Sequence, residues 1–184
     1  MDQVAEHPSA AINQKIARAG HASDADGHGP SAAAVTEFIS FAIGDEQYGV
    51  DIMAVREIKG WSDITHLPKQ PDYVRGVLNL RGAIVPIVDL RCRFGQGLTE
   101  TTPLHIVIIV QIGDRQVGLI GDRVLDIVSV TPDQIQPVPR TGNAHSTNFL
   151  AGLVSNESIM IALIDLPHLL ADHATDTKTV VLDA

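Results

Sequence analysis

Apolar and polar residues alternate through the middle of the chain. Ile39, Phe41 and Ile43 share one face of an extended segment, Gly44-Asp45-Glu46-Gln47 breaks it, and Tyr48, Val50 and Ile52 resume the period of two. This predicts a β-hairpin. A second follows the same plan, with Ile106 to Ile112 as one arm, Gly113-Asp114-Arg115-Gln116 as the turn and Val117 to Ile120 returning. With a shift of 69 residues, Ile43, Gly44, Asp45, Gln47, Gly49, Val55 and Ile58 fall on Ile112, Gly113, Asp114, Gln116, Gly118, Val124 and Ile127. With a shift of 76, Gly76, Asp89 and Leu90 fall on Gly152, Asp165 and Leu166, and Val77, Val85 and Ile87 on Leu153, Ile161 and Leu163. The region is duplicated, and the copies differ mainly by an insertion in their middle. Two copies are too few for a solenoid or propeller. Each has enough short strands for a small barrel, whose closure removes most open sheet edges. The expected fold is all-β, two related small units packed together. Helices should be few: a turn or two at Met53 to Ile58, another near Pro71 to Val74, and a last one from Leu166 to Asp172.

The ends read differently. Residues 1–34 contain much Ala, His, Gly, Ser and Asp, include Gly27-His28-Gly29-Pro30 and lack any aromatic residue, which predicts a disordered N-terminal tail. Ile12 and Ile16 stand at helical spacing and allow a short amphipathic helix over Ala10 to Ala19, with a thin apolar face. Residues 173–184 are polar apart from Val180-Val181-Leu182 and read as a C-terminal tail unless those three dock. The folded domain is expected over 35–172, with a first barrel over 35–97, a second over 98–172, and room for exchanged terminal segments.

Composition narrows the function. Hydrophobic residues make up 45% of the 184, enough for a buried core. A single cysteine, Cys92, forbids an internal disulfide and fits a reducing cytoplasm. The longest apolar run, Ile106 to Val110, is too short to cross a bilayer, and the N-terminus lacks a basic start followed by an apolar stretch. No export and no membrane insertion are expected. A net charge of −9, with nine arginines and four lysines scattered along the chain, argues against nucleic acid as a partner.

The first copy carries Tyr48-Gly49-Val50-Asp51-Ile52, then Val55-Arg56-Glu57-Ile58, then Asn79-Leu80-Arg81-Gly82-Ala83-Ile84-Val85-Pro86-Ile87-Val88-Asp89-Leu90-Arg91. These segments resemble the CheW-type chemotaxis coupling family. The resemblance covers roughly Glu37 to Leu170, and the Asn-Leu-Arg-Gly block followed by Ile-Val-Pro is far more specific than a three-residue motif. It implies two intertwined SH3-like β-barrels and an adaptor without enzymatic activity or cofactor. Such an adaptor would hold the CheA histidine kinase, through its regulatory domain, beside the cytoplasmic tips of chemoreceptors in a membrane-associated array. Receptor contacts carried over by the resemblance fall on Val55, Glu57, Arg81 and Ile84; kinase contacts are not assigned to single residues. The long N-terminal segment departs from the compact family pattern and leaves room for a tether or an extra partner.

Each of these residues also has an ordinary structural role open to it. Arg81-Gly82 sits where a β-turn joins two apolar strands, and a turn arginine is usually only solvated. The second copy has Glu157 at that position, so the unit folds without arginine there, and a guanidinium at a loop tip can grip a carboxylate or helix-end carbonyls. Glu57 is matched by Asp126, which suggests a shared hydrogen bond. Val55, Ile58, Val124 and Ile127 recur and read first as core. Pro86 predicts an edge or a bulge. Arg91 and Arg93 flank Cys92 and could lower its thiol pKa, but no resolving cysteine exists. Asp89 and Asp165 read as strand-end acceptors. His168 and His173, five apart, do not share a helical face, so no metal site is expected. No nucleophile elbow, phosphate loop or zinc-protease helix is present. The rivals are a related coupler in a non-flagellar pathway, a small barrel enzyme using an acid with His66 or His105, and a coupler that has lost a receiver domain, for which nothing after Leu166 leaves room.

Overall fold

The structure, a computed structural model, describes residues 8–19, 34–139, 148–156 and 159–170. A helix, α1, spans Pro8–Ala19. The strands are β1 (Thr36–Ile43), β2 (Glu46–Asp51), β3 (Val55–Gly60), β4 (Val74–Leu80), β5 (Ala83–Asp89), β6 (Ile106–Ile112), β7 (Arg115–Gly121), β8 (Arg123–Val130), β9 (Leu150–Asn156) and β10 (Ile159–Ile164). Two four-residue helices, α2 (Leu90–Arg93) and α3 (Leu166–Leu169), and 3₁₀ turns at Ile52–Ala54 and Pro132–Gln134 complete it.

The hairpin turns are tighter than the four residues expected. Ile43 pairs with Glu46 and Ile112 with Arg115, so only Gly44-Asp45 and Gly113-Asp114 turn the chain. Gly44 and Gly113 hold φ of 60° and 55°, which a two-residue hairpin loop needs at its first position.

The strands form two five-stranded sheets of identical plan, ordered β8-β1-β2-β10-β9 and β3-β6-β7-β5-β4. Neither sheet comes from one sequence copy. The leading hairpin of each copy has crossed into the other's sheet: β1-β2 lies among β8, β9 and β10, while β6-β7 lies among β3, β4 and β5. The copies divide near residue 97 in sequence, but that line does not divide the sheets.

Each sheet curls until the segment leaving its first strand meets its last. Thr65 pairs with Val77 of β4, and Gln136 with Leu153 of β9. The close approach explains a repeated glycine. A Cβ on Gly76 would stand 2.3 Å from the Thr65 carbonyl oxygen, and one on Gly152 would stand 2.4 Å from the Ile135 side chain. Three apolar clusters fill the molecule. Leu78, Val85, Ile87, Val107, Ile109 and Ile120 fill one barrel, and Val130, Val154, Ile161 and Leu163 the other. The largest cluster, including Phe41, Val55, Ile108 and Leu119, draws on both sheets.

Three further expectations require correction. Val55 to Ile58 is strand, not a helical turn. Both residues are buried at a spacing of three because the β3–β6 register shifts between Val55 and Glu57, turning both inward. The same irregularity recurs where β8 meets β1. Residues 8–19 of the expected tail form the short amphipathic helix that Ile12 and Ile16 allowed, and both isoleucines pack on the shared core. Two isoleucines one turn apart suffice because β3 and β8 supply the other wall. The segment near Pro71 holds only a turn before β4, while α2 follows β5 directly because Asp89 caps it, accepting from the Cys92 N–H at 3.2 Å. Asp165 caps α3 in the same way. Val180 to Leu182, Glu157 and His173 lie outside the described residues.

Candidate functional site

Glu57 on β3 and Arg81 in the β4–β5 turn belong to opposite ends of their sheet's strand order. Closure of the barrel brings them together, with Arg81 Nη2 donating to Glu57 Oε2 at 2.6 Å. The arginine is held there at a conformational cost. Arg81 and Gly82 adopt φ of 50° and 89°, the two positive values of a type I′ turn, and a side chain other than Asn or Asp seldom occupies the first of these. Asn79 steadies the turn by accepting the Gly82 N–H at 2.9 Å.

The Arg81 side chain is 75% exposed, so the ion pair contributes little stability, within about 1 kcal/mol for exposed pairs. Its effect is orientation. Glu57 takes one end of the guanidinium and leaves the planar fork facing solvent, where it can meet a carboxylate or carbonyl pair.

Ile84 stands three residues further on and is 64% exposed. It borders a groove of about 690 Å³ together with Leu67, Val85, Pro86, Val117 and Leu170. The groove exists because β5 and β7 pair only over Ile87–Asp89 and Gly118–Ile120. Before Pro86 the two strands separate, so β5 is interior by sheet order yet open on one side in its first half.

Of the four receptor-contact candidates, the structure joins Glu57 and Arg81 directly and places Ile84 on the same hairpin. Val55 is buried in the shared core and offers no side-chain surface. Met53, 59% exposed in the 3₁₀ turn before β3, was not singled out by the sequence, where it looks like another core residue.

Other side-chain groupings also escaped the sequence reading. Asp122 accepts the Gly44 N–H at 2.7 Å and lies 3.4 Å from both Arg91 and His105. The Arg93 guanidinium lies 4.3 Å from the centre of the Tyr73 ring and 4.2 Å from that of Phe149. Those rings are equivalent under the shift of 76, so one cation is sandwiched between matching positions of the two copies. Tyr48 stacks on Phe94 and donates to Glu46; burial, then the Glu46 hydrogen bond, pushes its phenol well above the ordinary range.

Cys92 does not carry the lowered pKa that its arginine neighbours suggested. Burial raises it first, and Asp89 and Asp72 raise it further, against a smaller opposing effect of Arg75. Among the described residues no three His, Cys, Asp or Glu side chains gather as a metal site. No helix among them is long and apolar enough to cross a membrane.

A CheW-like domain matches residues 37–174. The chemotaxis protein CheW of Rhizobium meliloti (strain 1021) is 45% identical over 130 residues, covering 71% of this chain and 84% of that protein. The chemotaxis protein CheW of Klebsiella aerogenes is 41% identical over 135 residues, covering 73% and 81%. Among solved structures, the scaffolding protein TtCheW from Thermoanaerobacter tengcongensis superposes with a TM-score of 0.69 at 32% identity, covering 79% of this chain and 94% of that one.

Proposed function

Since the chain belongs to the CheW-like domain family, whose members are scaffolds and not enzymes, we propose that it couples chemoreceptors to the CheA histidine kinase. The observation that carries this reading is the outward guanidinium of Arg81, fixed by Glu57 and set on the same hairpin as exposed Ile84. An arginine fork beside an aliphatic patch suits the end of a helical hairpin, where carboxylates and carbonyls stand next to apolar side chains. In this reading Glu57, Arg81 and Ile84 touch the receptor, while buried Val55 sets the line of β3. The kinase's regulatory domain binds elsewhere on the barrels, and signals pass as shifts in the packing of receptor, adaptor and kinase. Individually modest contacts gain strength by repetition in an array at the membrane.

The experiment is a calorimetric titration of the protein with a soluble receptor-tip fragment and, separately, with the CheA regulatory domain from the same cell. Saturable binding to both is expected. Arg81→Glu should weaken receptor binding by about tenfold or more, as expected for loss of a charge-assisted contact, leave kinase binding unchanged and lower stability by no more than about 1 kcal/mol, the scale of an exposed pair. Unchanged receptor affinity in that variant removes Arg81 from the site, and failure of the native protein to bind either partner removes the coupling function.

A further inference from the structure

Helix α1 rests across the junction between the two barrels. It touches β3, the 3₁₀ turn at Ile52–Ala54 and β8. By the shift of 69, β3 and β8 are equivalent strands, so one helix crosses a place where the two copies present matching edges. Its grip has two parts. Ile12 and Ile16, one helical turn apart, rest on the shared core, each only half-buried. Between them Asn13 pairs with Ile58: its Oδ1 accepts the Ile58 N–H and its Nδ2 donates to the Ile58 carbonyl, each at 3.1 Å. A side-chain carboxamide thus takes the place of a neighbouring strand on the free edge of β3.

The fit is incomplete. A crevice of about 370 Å³, bordered by Ala11, Ile12, Gln14, Lys15, Asp126 and Ile127, opens along part of the boundary between α1 and β8. Twelve residues make a helix that is marginal without its seat. The segment 20–35 that joins α1 to β1 has 16 residues and can span about 50 Å when extended. Leaving the seat therefore requires no rearrangement of the barrels.

We propose that α1 regulates access to the receptor, occupying the groove between β3 and β8 in cis until a receptor's helix displaces it. The helix that the groove fits has two aliphatic side chains one turn apart and a carboxamide between them, as α1 has. This rests on the receptor reading above, because the seat adjoins Met53, Val55 and Glu57 on the same stretch of chain. Displacement makes the apparent affinity the intrinsic one multiplied by the fraction of molecules with an empty seat.

The test uses the full chain and the soluble helical-hairpin fragment of a receptor tip from the same cell. Ile12→Glu with Ile16→Glu empties the seat and should tighten fragment binding by about tenfold or more, the factor for a seat empty in a tenth or less of the native molecules. Asn13→Ala, a milder change that leaves the apolar face intact, should tighten it by a smaller factor and speed amide exchange at Ile58. A synthetic peptide of residues 8–19 should reverse the gain in the doubly substituted chain. Equal or weaker fragment binding by both folded variants overturns the competition while leaving the receptor reading standing. If neither native nor variant protein binds the fragment, the receptor reading falls and the competition falls with it.

Discussion

The two barrels share one strand order but differ at equivalent positions. Asp89 and Asp165 show this most directly. Both end a strand and cap the short helix that follows. Asp165 does little else beyond meeting exposed His168 at 2.8 Å. Asp89 is wholly buried and also accepts from Arg75 Nη1 at 3.0 Å, the Thr99 N–H at 2.8 Å and the Thr99 hydroxyl at 2.7 Å. Where the first copy has Arg75, the second has Ala151. The shared part is what the fold requires of each copy. The unshared part pins the 94–105 connection in one barrel only.

The largest expected effect sharpens that contrast. Asp89→Ala leaves the Arg75 guanidinium with the Thr99 carbonyl but no carboxylate, strands three N–H or O–H donors, and should cost about 3–5 kcal/mol in denaturant unfolding. Asp165→Ala should cost about 1 kcal/mol, the loss of a cap. Similar costs for the two would mean that the added network is idle.

The glycine pair comes next. Gly76 has φ of 144°, and its added Cβ would meet backbone, whereas at Gly152 the first obstacle is the side chain of Ile135. Gly76→Ala should lower stability by about 2–3 kcal/mol, within the range for strained backbone. Gly152→Ala should cost about half as much, since a side chain can yield. The reverse order would show that the second barrel is the more rigidly closed.

Arg93 tests the contact between copies. Arg93→Ala should cost about 1–2 kcal/mol through loss of both ring faces, and Tyr73→Leu and Phe149→Leu should each forfeit part of it. Combining either with Arg93→Ala should add less than the sum of the single changes.

The smallest effect at neutral pH belongs to Tyr48, whose counterpart is Val117. Its phenol is raised in the folded state, so the stabilisation from keeping it neutral is fully present below the unfolded value of 10.0 and is lost as pH rises beyond it. Tyr48→Phe should flatten the fall in stability above that pH in alkaline unfolding curves. An unchanged slope would assign the fall to other groups.

Much of this was legible in the chain. The alternation around Phe41 and Ile108 marked the hairpins, and the recurrence of Ile43-Gly44-Asp45 as Ile112-Gly113-Asp114 marked the duplication. Arg81 stood out because its counterpart is an acid. Other features were hidden for identifiable reasons. A repeat shows which segments are alike, not which ones pair, so the exchange of leading hairpins was signalled by the family resemblance, which implied intertwined barrels, and not by the pattern of residues. The inward pair Val55 and Ile58 imitates a helical period because a bulge lies between them. Asn13 reads as an ordinary polar residue of a thin helix, since its partner is a backbone 45 residues away. The union of Glu57 and Arg81 depends on barrel closure, which local pattern cannot report.

The exchange of hairpins also decides how the molecule comes apart. Cutting the chain between residues 97 and 98 would leave the front fragment with β1 and β2 parted from three companions and β3, β4 and β5 parted from two. Each fragment would hold pieces of two sheets and the whole of neither. The halves should be unfolded alone and regain structure only on mixing, like interlocked hands that grip only as a pair. A disturbance entering at the β4–β5 tip is then borne by a body whose two barrels are covalently stitched through each other, with no hinge at which one could yield and leave the other at rest.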